Sequence, residues 1–149
     1  MTTWTQFEAA APALAIEGRR LIHRGDVGEM LLATVRGAEP PRIHPVNVAI
    51  VDGRLYAFIL RSAKRTDLER DGRYALHTHQ DPSAPSEFAV RGHATVVESD
   101  AARTAAAAHW SFDVDDSYTL FEFSIDHALL GVRDTADDWP PRYSSWSAA

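Results

Sequence analysis

The chain contains no cysteine. Disulfides, thiolate nucleophiles and cysteine-held zinc or iron–sulfur centres are therefore excluded, and a reducing compartment fits. Long apolar runs are missing too, since none approaches the ~18 residues of a membrane span. The opening "MTTWTQFEAAAPALAIEGRRLIHRGD" has neither the basic start nor the compact apolar segment of a signal peptide. The expectation is a soluble cytoplasmic protein with no membrane partner. Positive charge is scarce, with a formal net charge of -6, which argues against a nucleic-acid partner because phosphate contacts need a dense basic surface. Nucleophile elbow, glycine-rich dinucleotide fingerprint and Walker loop are all absent. The scattered acids define no acid–base pair, so no catalytic side chain is assigned.

What is present is enough apolar material for a core: 149 residues, 45% hydrophobic and 24% charged, most simply one domain spanning residues 1–149. Residues 5–23 carry apolar positions at helical spacing interrupted by Pro12 and Gly18, which predicts one or two short helices. "RGD" at residues 24–26 reads as a turn before the first strand. Residues 29–36 form a short apolar strand ended by the turn residues "GAEPP". From Arg42 a second strand alternates to Val51, and Asp52-Gly53 then signals a type I′ hairpin into residues 54–60. Pro45 has no N–H for a ladder, so it marks an edge, a bulge or a place where the backbone faces something other than a strand.

Ser62 is a good N-cap for a helix "AKRTDLER" that stops at Asp71-Gly72. Residues 73–79, 87–98, 118–125 and "ALLGV" read as further strands, Gly92 as a bulge or barrel bend, and Ser99 or Asp100 as the cap of an alanine-rich helix ending near Trp110. The tail "TADDWPPRYSSWSAA" shows no periodicity. Antiparallel hairpins with inserted short helices, and no β-α-β alternation, predict a mainly β fold built as a small barrel.

Two clusters bear on chemistry. His77 and His79 lie two apart on a predicted strand and share a face, but no third ligand is spaced to join them, so no metal is assigned. Ser62, Lys64 and Arg65 place a hydroxyl, an ammonium and a guanidinium at a helix N-terminus, which already offers unpaired N–H groups and partial positive charge. That combination suits a phosphate; ordinary solvated charge at a helix start is the alternative.

The stretch "LLATVRGAEPPRIHPVNVAIVDGRLYAFILRSAKRTDLERDGRYAL" resembles the pyridoxamine 5′-phosphate oxidase-like superfamily of flavin-binding split barrels, in which "LATV", "HPV", "DG.LY", "S.K" and "DPRVAL" recur in this order. The resemblance implies a six-stranded antiparallel split β-barrel that homodimerises and holds FMN at the subunit interface. It places Arg42, Ile43, His44, Pro45, Val46 and Asn47 along the flavin ring and ribityl chain, and Ser62 and Lys64 at the phosphate, with Arg65 in place of a second basic residue. Glu87 stands where a glutamine is common.

The Arg-His motif with which true vitamin B6 oxidases hold their substrate has no counterpart in the tail. Arg133 and Arg142 are there, but Asp134, Asp137 and Asp138 lie beside them; Trp139, Tyr143 and Trp146 are candidates for an aromatic wall over the ring, or for plain packing on the barrel. The expected function is an FMN-dependent oxidoreductase acting on a small molecule other than a B6 phosphate. The alternatives are a deazaflavin-coenzyme reductase on the same fold and a non-catalytic flavin or heme carrier.

Overall fold

In the computed structural model, which describes residues 1–23 and 27–149, the chain order is α1 (Trp4–Ala10), α2 (Pro12–Ile22), β1 (Gly28–Arg36), β2 (Glu39–Val51), β3 (Arg54–Leu60), α3 (Ala63–Arg70), β4 (Arg73–Thr78), β5 (Glu87–Val96), α4 (Asp100–Ala107), β6 (Tyr118–Phe123), β7 (His127–Val132) and β8 (Arg142–Ser147). The RGD tripeptide lies outside the described residues. Every strand pairing is antiparallel, in the order β4-β1-β2-β3-β6-β5-β7-β8, and an additional β4–β5 pairing closes the first six into a barrel. No helix among the described residues is long and apolar enough to cross a membrane.

The β2–β3 hairpin follows its sequence signal. Asp52 and Gly53 both have positive φ, 49° and 73°, as a type I′ turn requires. A side chain at Gly53 would collide with Thr5 of α1, whose amide bonds the Gly53 carbonyl at 3.0 Å. The first helix is thereby pinned to the turn.

β5 is where the barrel splits. One edge of it pairs with β4 from Ala89 to His93, while the other edge pairs with β7 over Glu87–Arg91 and with β6 over Ala94–Val96. Between the two partners the carbonyl of Ser124 crosses Gly92 so closely that a Cβ there would sit 2.1 Å from it. Of the two readings for Gly92, a bulge or a barrel bend, the bulge is excluded because its register against β4 is unbroken; the glycine stands where β5 passes from β7 to β6 and serves a close backbone approach.

Three further expectations need correction. "GAEPP" is not all turn, because β2 begins at Glu39 and pairs it with Arg36, leaving Gly37 at φ 58° and Ala38 as the reversal. α4 ends at Ala107 rather than near Trp110. The tail supplies a strand, β8, laid on β7 with Trp146 opposite Ala128.

Inward-facing residues fill the barrel: Met30 and Leu32 of β1, Val48 of β2, Leu55, Ala57 and Ile59 of β3, Leu76 of β4, and Phe88 and Val90 of β5 are fully buried. A second cluster covers the outer side of β2 and β3, where Ala49, Val51, Tyr56 and Phe58 pack under Ala106 of α4 and Trp110. Phe58 and Trp110 meet edge to face at 4.8 Å. The double-sided hydrophobicity of this hairpin is thus largely satisfied within one chain, leaving Ile43 and Leu60 as its exposed apolar positions at 67% and 46%.

Candidate functional site

The end of β3 delivers the chain directly into α3, and that junction builds the site. Ser62 is extended, accepts the Arg65 amide on its hydroxyl at 3.3 Å and donates to the Leu60 carbonyl at 2.9 Å. It is a working N-cap. With the Arg65 amide capped, those of Ala63 and Lys64 have no intrahelical acceptor, so the helix opens with free donors and partial positive charge.

Lys64, in that first turn, reaches across to β2 and donates from Nζ to the Pro45 carbonyl at 3.2 Å. No carboxylate among the described residues pairs with it, and partial burial lowers the ammonium below the ordinary lysine range. A half-buried cation with one backbone acceptor retains donors for an anion.

These groups stand at a cavity of about 460 Å³ whose walls are Pro45, Val46 and Asn47 of β2, Phe58, Ile59 and Leu60 of β3, Ser62, Lys64, Glu29, His79, Phe112 and Tyr118. One end is cationic, the walls along β3 and at Phe112 and Tyr118 are apolar, and Glu29 and Asn47, cross-strand partners in the β1–β2 ladder, add polar groups. The volume lies in the range of small-molecule and cofactor sites.

Of the sequence-predicted residues, Pro45, Val46, Asn47, Ser62 and Lys64 line this cavity. Arg42 is engaged elsewhere, its Nε 3.0 Å from the buried Asp67 carboxylate, which also accepts from Thr34 at 2.7 Å. That network compensates the burial of Asp67 and borders a separate cavity with Arg36 and Arg70. Ile43 faces out. His44 lies on the opposite side of β2 from Pro45, with a buried Nε2 that has no hydrogen-bond partner. Burial and the charges of Lys64 and Arg42 depress its pKa. Arg65 turns along its own helix to Glu69 at 2.8 Å and to the Ser117 carbonyl at 3.3 Å.

Glu29, His79, Phe112 and Tyr118 were not legible as site residues. Phe112 and Tyr118 arrive through the loop between α4 and β6, and only closure of the barrel brings that loop over β3. His77 and His79 do not act together: His77 pairs with Glu87 at 2.9 Å, and His79 lies past the end of β4. No group of three or more metal-binding side chains occurs among the described residues.

The tail lies apart from the cavity. Arg142 pairs with Asp134 at 2.9 Å and Asp138 at 3.0 Å, and Arg133 donates to the carbonyls of Asp138 and Ala136 at 2.8 Å each. Trp146 packs on Phe7 at 5.2 Å, and Trp139 lies under Arg133. The tail aromatics therefore form no wall over the Lys64 cavity of their own chain; Trp146 packs on the barrel.

No family model matches the chain, and no curated protein matches it. Solved structures do. A Clostridium acetobutylicum protein related to general stress protein 26, of the pyridoxinephosphate oxidase family, is 14% identical, with 89% of this chain and 92% of that one covered at a TM-score of 0.65. The chain has the split-barrel fold of the pyridoxamine 5′-phosphate oxidase-like proteins. A FAD-binding protein from Mesorhizobium loti is 16% identical, with 76% and 91% covered at 0.60. A heme-binding protein from Mycobacterium smegmatis is also 16% identical at 0.65, and there 87% of this chain spans 57% of that one.

Proposed function

We propose that this split barrel binds FMN and serves as a flavin-dependent oxidoreductase whose substrate is not a vitamin B6 phosphate. The observation that carries the reading is Lys64: a half-buried ammonium, paired with no carboxylate among the described residues, beside a capped helix N-terminus at a cavity with apolar walls. An arylated ribityl phosphate matches that distribution of polarity. The phosphate belongs with Lys64 and the first-turn amides of α3, where a charge-assisted hydrogen bond is short and strong. Ser62 joins them by turning its hydroxyl from the Leu60 carbonyl. Pro45, Val46 and Asn47 offer the strand against which the ring lies, and Phe58, Leu60 and Tyr118 supply its apolar surroundings.

When bound, the flavin supplies the hydride and electron transfer. The chain's contribution is to hold the cofactor, exclude water from one side of it and keep positive charge at the phosphate. The flavin-binding and oxidase-family names among the structural neighbours support this reading.

The site is open to solvent, and its lining includes two exposed apolar residues, Leu60 of the hairpin and Phe112 at 40% exposure. A second copy of the chain is the proposed cover, giving a homodimer with a cofactor at each shared site. Light scattering should give about twice the 16.5 kDa chain mass. A monomer that retains its cofactor at micromolar concentration overturns the shared site.

The test of function is direct. Apo protein titrated with FMN should quench flavin fluorescence to a stoichiometric end point, and NADH or NADPH should then bleach the bound flavin, with colour returning on addition of an electron acceptor. Absence of FMN binding overturns the proposal. Binding without reduction leaves a carrier instead of an enzyme.

A further inference from the structure

We propose that the cavity between the β1–β2 hairpin and the C-terminal half of α3 is a second anion site, which takes the phosphate group of a small molecule other than the flavin. It shares no lining residue with the Lys64 cavity and does not depend on a flavin there.

Side-chain contacts set α3 along β2. Lys64 meets the Pro45 carbonyl and, one turn further on, Asp67 meets Arg42. Residues three apart share a helix face, so Arg70 continues that row toward the start of β2. The hairpin places Arg36 there, at the end of β1 and paired across the ladder with Glu39. Helix and hairpin thus bring Arg36, Arg42 and Arg70 to one cavity of about 520 Å³. That is more than a bare ion fills and falls within the range of small-molecule sites.

Arg42 is the organised member of the three. Its Nε is held at 3.0 Å by the buried Asp67 carboxylate, to which the fully buried Thr34 hydroxyl also donates at 2.7 Å. The carboxylate fixes the guanidinium through Nε and leaves its two terminal nitrogens without a partner among the described residues, on a side chain 34% exposed. Each acid at the cavity is already matched: Glu39 with Arg36, Asp67 with Arg42, and Asp71 with Arg73, whose hydrogen bonds hold the Asp71 carboxyl down to about 2. Arg70 is the cation left over, exposed in the last turn of α3 and paired with no carboxylate among the described residues. The negative end of the α3 dipole also points this way, and Arg70 and Arg73 offset it.

Guanidinium groups from a helix and from a hairpin approach an anion from different directions. A phosphate accepts hydrogen bonds on three oxygens spread in space, whereas a carboxylate offers two in one plane. The arrangement therefore favours phosphate, and the remaining volume takes the group that carries it.

The experiment is a titration of the full chain with inorganic phosphate, followed by the NMR signals of its amides and guanidinium groups, with chloride at matched ionic strength as the blank. Excess FMN fills the Lys64 cavity; if FMN does not bind, Lys64→Ala protein removes that cavity's cation instead. Signals of residues 35–39 and 67–72 should shift and saturate by about 10 mM phosphate, with succinate at least about fivefold weaker. Arg70→Ala, an exposed change that leaves Asp67 paired, should weaken phosphate by about five- to tenfold. Arg42→Lys keeps a charge for Asp67 but loses the planar fork, and should weaken it similarly. Shifts no larger than those from chloride, succinate as tight as phosphate, or unchanged affinity in Arg70→Ala overturns the site. Each of these results leaves FMN binding at the other end of α3 untouched.

Discussion

The two ends of this barrel hold basic residues in opposite ways. At the β3–α3 junction Lys64 meets one backbone carbonyl and, among the described residues, no acid; in the tail Arg142 is clamped by Asp134 and Asp138, and Arg133 by two carbonyls. A cation whose partners lie within its own chain stabilises a local fold, whereas one left with free donors in a cavity is available to a ligand.

The sharpest way to break this comparison is turnover of pyridoxine 5′-phosphate. A second phosphate needs its own clamp, and the tail arginines are committed, so FMN-loaded protein under oxygen should form no pyridoxal phosphate beyond background. Sustained product over many turnovers would show that the tail ion pairs open for substrate. Next in size is Lys64→Ala, expected to weaken FMN binding by about ten- to a hundredfold, the loss of one charged hydrogen bond. Arg36→Ala, whose side chain pairs with Glu39, should change FMN affinity less than about twofold. Equal losses in the two variants move the phosphate away from α3.

Smaller again is Arg142→Ala. Exposed ion pairs contribute little to stability, so Tm should fall only slightly with FMN affinity unchanged. A coupled loss of FMN binding would connect tail and site, as when the tail of one protomer reaches the cavity of another.

The smallest effect concerns acid. His23, His44 and His127 all have depressed pKa values, chiefly from burial. Because the folded form resists their protonation, the unfolded chain binds more protons once the pH drops below about 6.5, and stability falls as pH is lowered from 7 to 5. Replacing His44 by Gln should flatten that decline by on the order of 2 °C in Tm. An unchanged pH profile would remove His44 from the account.

Much of the site half nearest α3 was legible, because its signals are local. Asp52-Gly53, the Ser62 cap, the missing N–H of Pro45 and Lys64 in the first helical turn each follow from side-chain chemistry within a few residues. Glu29, Phe112 and Tyr118 were illegible for the converse reason: each lies on a separate strand or loop. Arg42 and Arg65 were named as candidates and are engaged with Asp67 and Glu69. Charge type can be read along a chain, but the choice among several acids for one arginine is made by packing.

From sequence alone it followed that the chain would be mainly β, would turn at Asp52-Gly53 and would open a helix capped by Ser62 after β3 with Lys64 in its first turn, since turn geometry, strand alternation and capping depend on neighbouring residues. Tertiary structure decided how the barrel closes and what faces Lys64. The split at β5 depends on the Ser124 carbonyl passing over Gly92, two segments more than thirty residues apart. Likewise β8 exists because β7 offers it an edge and Phe7 a place for Trp146, and the cavity exists because the α4–β6 loop is carried over β3 by pairing with a strand it does not follow in sequence.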